Sequence, residues 1–359
     1  MCGLNPRSRL VLAKLEATPG TDPIPAPGTD DLFVSMDSEG IKLGVTQVGN
    51  EPASPTGYEL PAAIATIKPT ATYRIPLYGK GLSTGNPVLP RWLSVILASC
   101  GHVDRYAGSP AGSEVVWTPD SIYPRTTSVL NAVTANPCTF TVYDYLARDG
   151  AISNGTKIRQ AMVGCRVSQV RFVLTVGQWA FLEVDILGLS VQPVASIADL
   201  SAADLDDVRT DFVRANAAQS QINFGASYGN AIALQSQSTT WTIDFSATQE
   251  EGDTTSAGVA TVGTRQALVT ASMNPIQTTA NIDNLMNAQF DQKDGAYSMA
   301  GSMTPEGRTV DIGYTLKVAA PAVQVVFDYD TTGSVVRLPT TAKAVSADST
   351  TPPISLTLS

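Results

Sequence analysis

Apolar and polar residues alternate with a period of two along most of this chain. From Trp241 to Thr248, the residues Trp241, Ile243, Phe245 and Ala247 fall on one side and Thr242, Asp244, Ser246 and Thr248 on the other, the pattern of a strand with one buried face. Val167–Val176 and Trp179–Leu189 alternate in the same way around Gly177-Gln178, which predicts a tight hairpin. In its second strand Phe181, Glu183 and Asp185 share one face, and Leu182, Val184 and Ile186 share the other. Further strands are predicted over Tyr73–Tyr78, Thr139–Leu146, Gln266–Met273, Tyr297–Met303, Val323–Tyr329 and Ser334–Leu338. Pro76 has no N–H to give a ladder, so its strand should lie at an edge or carry a bulge. Helical spacing is scarce. It occurs in Pro90–Cys100, with Trp92, Leu93, Ile96, Leu97 and Cys100 on one stripe and Gly101 as the stop. It recurs in Thr279–Phe290, with Thr279 as cap and Ile282, Leu285, Met286 and Phe290 as stripe, and in the short acidic segment Ser201–Arg214.

Proline and glycine concentrate in residues 17–60, a stretch too long for an ordinary connection and expected to be ordered by a partner. Thr340–Ser359 is rich in Ser, Thr and Pro and reads as a second arm. Between them the order of elements repeats. Strand Ala71–Tyr78, helix Pro90–Cys100, strand Thr139–Leu146 and hairpin Val167–Leu189 are followed by strand Gln266–Met273, helix Thr279–Phe290, strand Tyr297–Met303 and hairpin Val323–Leu338. The hairpins align through Val170, Phe172, Leu174 and Val176 against Val323, Val325, Phe327 and Tyr329. Composition alone could make two β-rich halves alike, but a shared order argues for duplication of one fold. The expected organisation is a first domain over residues 1–195, holding the arm 17–60 and an insertion over 107–137. A linker over 196–220, a second domain over 221–345 and a tail over 346–359 follow.

Composition narrows the function. The charged fraction is 15% against about 25% for an ordinary domain, so much of the surface is expected to meet other protein. The net charge of −9 has the wrong sign for gripping phosphate. A single histidine, His102, removes most acid–base and metal chemistry. Cys2, Cys100, Cys138 and Cys165 contain no close pair and read as buried thiols. Met1–Leu12 lacks a secretory pattern and no apolar run reaches the length of a membrane helix, so neither secretion nor a membrane is expected, and Asn154-Gly155-Thr156 reads as a turn. Several motifs tempt and fail. Gly225-Ala226-Ser227-Tyr228-Gly229 matches a nucleophile elbow, but the surrounding pattern is antiparallel and His102 lies upstream. Gly79-Lys80-Gly81 lacks the third glycine of a dinucleotide loop. Asp328–Gly333 begins like a calcium loop but has Thr332 and Pro339 where ligands are needed. Glu183 and Asp185 read as a solvated pair. No catalytic, cofactor-binding or metal-binding residue is expected, and the chain is not read as an enzyme.

The run Arg9–Ala17, followed by Thr18-Pro19-Gly20-Thr21-Asp22-Pro23 and Asp31-Leu32-Phe33-Val34, resembles the start of the tail tube proteins of long-tailed bacteriophages. Gly85–Leu93 through Gly101 looks like that family's helix, and Phe224–Tyr228 with the strand after it looks like a second-half entry. The resemblance implies a mainly β fold. Two tandem β-sandwich or half-barrel domains, each with one flanking helix, would close into a ring-shaped β-barrel on oligomerisation. Such rings stack into the hollow conduit for DNA ejection, in a virion tail assembled in the host cytoplasm. The implied partners are other copies of this chain, as trimeric pseudo-hexameric rings or hexamers if only one half is a tube domain. Tape-measure, terminator and distal tail proteins are implied neighbours, and double-stranded DNA passes without sticking. The other reading in this class is a tail terminator or capsid decoration protein. An acidic lumen would repel phosphate, and the candidate lumen-facing residues are Glu183, Asp185 and Asp244, carboxylates on the polar faces of long strands.

Overall fold

The computed structural model describes residues 4–26, 29–35, 37–48, 63–77, 91–107, 114–119, 139–148, 157–193, 213–252, 259–263, 267–276, 278–305, 314–332, 335–346 and 351–358. The first half contributes β1 (Leu4–Leu15), β2 (Asp31–Leu32), β3 (Gly40–Val48), β4 (Ala63–Pro76), β5 (Gly101–Ala107), β6 (Glu114–Pro119), β7 (Phe140–Arg148), β8 (Lys157–Thr175), β9 (Phe181–Leu187) and β10 (Ser190–Pro193). The second contributes β11 (Val213–Asn223), β12 (Ala231–Asp244), β13 (Thr248–Glu251), β14 (Val259–Gly263), β15 (Leu268–Ile276), helix α1 (Thr279–Phe290), β16 (Gly295–Pro305), β17 (Tyr314–Phe327), β18 (Thr340–Val345) and β19 (Ser355–Leu358). The fold is mainly β, as the alternation predicts, and every described strand pairing is antiparallel.

The two halves repeat one plan. In the second, β11–β12–β15–β18–β17–β16 returns to β11 and closes a six-stranded barrel. In the first, β1 pairs with β7 and β2, β7 with β8, β8 with β9, β9 with β4 and β4 with β3, so these strands have counterparts in the same sequence order, while β5 and β6 have none. Even the short additions match. β10 follows β9 onto β8, and β19 follows β18 onto β17.

The halves are joined by hydrogen bonds. β8 pairs with β12 from Gln169↔Asp244 to Thr175↔Ser238. This makes one eight-stranded sheet in the order β3–β4–β9–β8–β12–β15–β18–β17. Its inner face is apolar in register across the junction. Tyr73, Val184, Val170, Ile243, Val269, Ala344 and Val323 lie in one row, all buried. In the next row, Phe172 lies opposite Trp241. β8 can serve two sheets because it turns at Gly164, whose φ of +64° suits glycine. A Cβ there would stand 2.3 Å from Leu189 Cδ1.

That corner is held by a buried carboxylate. Glu16 Oε1 accepts from Thr141 Oγ1 (2.6 Å) and Gly164 N (2.8 Å), and Oε2 accepts from Thr139 Oγ1 (2.5 Å) and Gly20 N (2.7 Å). Four donors offset the desolvation of the charge. Nearby, Arg9 and Asp144 form a two-pronged pair through Nε–Oδ1 (3.0 Å) and Nη2–Oδ2 (2.5 Å), and Tyr73 donates to Asp144 Oδ2 at 3.1 Å. Burial pushes the Cys165 thiol up.

Several expectations are corrected. Residues 340–359 are not an arm: Thr340–Val345 is β18 and Ser355–Leu358 is β19, with Ile354, Leu356 and Leu358 buried. Leu356 lies opposite Trp117 of β6, so residues 107–137 contain a core strand rather than only an insertion. Within 17–60, residues 40–48 form β3. Of Ser334–Leu338, the described residues 335–338 form no strand and hold only isolated bridges at Arg337. The segment Pro90–Cys100 yields a short π-helical turn, Trp92–Leu97, wedged into the core. α1 is capped by Thr278 rather than Thr279, and Phe290 is 76% exposed rather than part of the apolar stripe. Pro76 ends β4 opposite Phe181, where its missing N–H interrupts no ladder. Ser201–Arg214 lies outside the described residues up to its last two positions, which begin β11.

The packing of β19 makes a prediction. Leu356→Ala should lower stability by about 2–5 kcal/mol, as for other buried leucines, and removal of residues 346–359 should abolish cooperative unfolding. Urea melts followed by tryptophan fluorescence measure both, and a solvated tail would give no change.

Candidate assembly surface

The outer face of the eight-stranded sheet is mostly polar, with Phe181, Val173, Leu268 and Val326 as its apolar members. Its first half carries Thr72 and Arg74 on β4, Glu183 and Asp185 on β9, and Gln169 and Arg171 on β8. Its second half is mostly hydroxyls, with Thr240, Thr242 and Asp244 on β12, Thr270 and Ser272 on β15, and Thr341 and Lys343 on β18. These side chains alternate with the buried row, so the period of two places them all on one surface.

The three expected carboxylates are brought to this face, but two are matched by arginine. Arg171 Nε lies 3.1 Å from Glu183 Oε2 and Arg171 Nη1 lies 3.2 Å from Asp185 Oδ2. Arg74 Nε is 3.3 Å from Glu183 Oε1, and its guanidinium stacks 4.0 Å from the Phe181 ring centroid. Thr72 Oγ1 donates to Asp185 Oδ1 at 2.9 Å. Asp244 Oδ1 accepts from Ser246 N at 2.7 Å and ends the β12 strand. The face is therefore a lattice of paired charges and hydroxyls rather than an acidic strip. A shallow cavity of about 390 Å³ opens on it between Ser238, Ser272, Val326 and Thr341, and its lining has no group poised for acid–base chemistry beyond Asp328.

The sheet ends in two open edges among the described residues. β3 pairs only with β4, and β17 beyond Val323 pairs only with β18. Apolar side chains stand out at both. Leu43 and Val45 are 48% and 47% exposed, and Val326 and Tyr329 are 62% and 51% exposed.

The enzyme-like motifs resolve into turns. Ser227 sits in an exposed 3₁₀ turn, Ala226–Tyr228, joining antiparallel β11 and β12, and His102 lies in β5 opposite Thr118. Asp330 Oδ1 accepts from Thr332 N (3.0 Å) and Thr332 Oγ1 (2.6 Å), which closes a local turn and holds that carboxyl below its ordinary range. Among the described residues no three His, Cys, Asp or Glu side chains group as metal ligands, and Cys100 and Cys165 are buried thiols. Gly79–Gly81, Asn154–Thr156, Cys2 and Cys138 lie outside the described residues. No described helix is long and apolar enough to cross a membrane. No protein-family model and no curated protein matches the chain.

Sequence reasoning missed Glu16 and the two edges. The only local signal was a glutamate ending an apolar run with Gly20 four residues on; the other donors, Thr139, Thr141 and Gly164, lie more than a hundred residues away. The same segment is tied down again by Asp22, which accepts from Tyr143 Oη and from Ile24 N.

The charge lattice predicts a small energetic effect. Its members are about 30% exposed, so Arg171→Ala should shift the urea midpoint by an amount equivalent to about 1 kcal/mol or less. A loss of several kcal/mol would mean that the lattice supports the fold.

Proposed function

We propose that this chain is the structural subunit of a hollow tail tube of the long-tailed phage type, in which three copies form a ring and rings stack into a conduit for DNA. The carrying observation is the eight-stranded sheet built from two equivalent four-stranded units laid side by side. A sheet that already repeats within one chain needs only further copies to become a barrel. Closure would also remove two edges that otherwise invite indiscriminate pairing.

Size and chemistry support the reading. Three copies bring about twenty-four strands. At about 4.8 Å per strand and a tilt near 40°, the barrel would be roughly 45–50 Å across between backbones, wide enough for a duplex after side chains narrow it. The polar outer face of the isolated sheet would then line the channel. Matched ion pairs and hydroxyls give phosphate no excess of cations to condense upon, so DNA would slide rather than bind. The −9 net charge acts in the same direction.

Electron micrographs of the purified protein at high concentration test this. The expected particles are rings and stacked tubes with three chains per ring and sixfold-like outline. Monomers at every concentration would overturn the reading, and six chains per ring would overturn the role assigned to the duplication.

A further inference from the structure

We infer that Ile24 is a preformed plug: the loop over residues 16–26 holds it outward at one end of the eight-stranded sheet, where it docks on the apolar opposite end of a second copy of this chain in the next ring. The inference deepens the tube reading and rests on it.

The loop is strained at a point the fold does not need. Ile24 has a φ of +53°. A β-branched residue at positive φ is an outlier, because its Cβ crowds the following carbonyl. Pro25 adds to the conflict, since a proline pushes the residue before it toward extended backbone. The other non-glycine residues with positive φ among the described ones are Asn230, Ser246 and Gln292, none of them β-branched. No packing within the chain offsets the strain, because Ile24 is 70% exposed.

Three carboxylates impose this shape. Gly20 N donates to Glu16 Oε2 (2.7 Å), Ile24 N to Asp22 Oδ1 (2.8 Å) and Ala26 N to Asp30 Oδ2 (2.8 Å). Asp22 is itself fixed by the Tyr143 hydroxyl, and Asp30 by Ala13 N, which donates to its carbonyl at 2.9 Å. Pro25 is buried, so the chain is anchored on both sides of the exposed side chain. Backbone strain persists only where the surroundings over-determine it, and it gathers at binding elements. A side chain braced in this way has little freedom left to lose on docking.

The receiving surface follows from where the loop stands. It packs at the corner where β8 enters the eight-stranded sheet: Glu16 holds Gly164 N there, and a Cβ on Gly20 would lie 3.3 Å from Leu189 Cδ1. The other end of the same strands is apolar. Val176 and Trp179 flank the β8–β9 turn, Ile276 ends β15, and Tyr329, Val335 and Val336 belong to the β17–β18 connection, all between 37% and 51% exposed. These residues share one end, because Val176 N donates to Gln237 O, Leu338 N donates to Pro275 O and Ile276 bridges Arg337. In a closed barrel the strand ends become its two rims. One rim then carries Ile24 and the other carries the apolar patch, so rings stacked head to tail bring them together. The contact joins different patches of identical chains along an axis that does not close, and it therefore propagates as a filament.

Variants of the full chain test the plug. Ile24→Gly should unfold at an equal or higher urea midpoint than the parent, since glycine adopts positive φ freely. Ile24→Asp and Val335→Asp should each form single rings and lose the long tubes in electron micrographs, and Ile24→Val should keep them. Rings of Ile24→Asp mixed with rings of Val335→Asp should pair into doublets, because one retains the patch and the other the plug. Long tubes from Ile24→Asp, a lower midpoint for Ile24→Gly, or mixed rings that stay single would overturn the plug and leave the tube reading standing. A parent chain that forms neither rings nor tubes would overturn both.

Discussion

The pairing of β8 with β12 is the constraint on which the rest of the molecule depends. Seven residue pairs from Gln169↔Asp244 to Thr175↔Ser238 make two half-molecules into one sheet. Because the side-chain period is two, a slip of one residue there would set the apolar row of one half on the same face as the polar row of the other, with Phe172 opposite Thr240 or Thr242. Register at this one ladder thus decides which surface is core and which is exposed. Phe172 and Trp241, opposite each other on the ladder, give that register its energetic weight by burying their rings beside Trp117 and Tyr297 respectively.

The remaining devices serve this ladder. Gly164 lets β8 leave the first sheet and reach the second, and Glu16 pins the corner by gathering donors from β7, β8 and the loop after β1. Arg9 and Asp144 fix β1 on β7 beside Tyr73, whose ring lies in the continuous apolar row. Polar groups buried this thoroughly favour one arrangement because any other leaves charges without partners.

Much of this was legible in the sequence, and the failures have physical causes. Strand existence was clear wherever one face is buried and the other wet, as in Trp241–Asp244 and Phe181–Leu187. β3 was hidden because both of its faces are largely exposed in the single chain, so Leu43 and Val45 gave a weak alternation inside a region dominated by proline and glycine. β18 was hidden by composition, since Thr and Ala dominate it and look like linker until a neighbouring strand buries them, and β19 was hidden by its length, only four residues of alternation after Pro352-Pro353. Ser334–Leu338 misled in the opposite way, with Val335 and Val336 apolar yet 44% and 37% exposed. Alternation identified Glu183, Asp185 and Asp244 as sharing a face. It could not identify Arg74 as a counter-charge, because β4 and β9 are far apart in sequence; Arg171 lies directly across the predicted hairpin from Glu183 and was within reach of its register.

The seam between β6 and β19 has a temporal meaning. Trp117 belongs to the first half, and the residue opposite it, Leu356, is among the last of the described chain to be synthesised. Domains ordinarily fold in order of emergence from the ribosome. Here the first half keeps an unfinished flank until translation has passed the second. The first half by itself therefore leaves the Trp117 edge of β6 uncovered, and its shape is finished by a strand made after the second half.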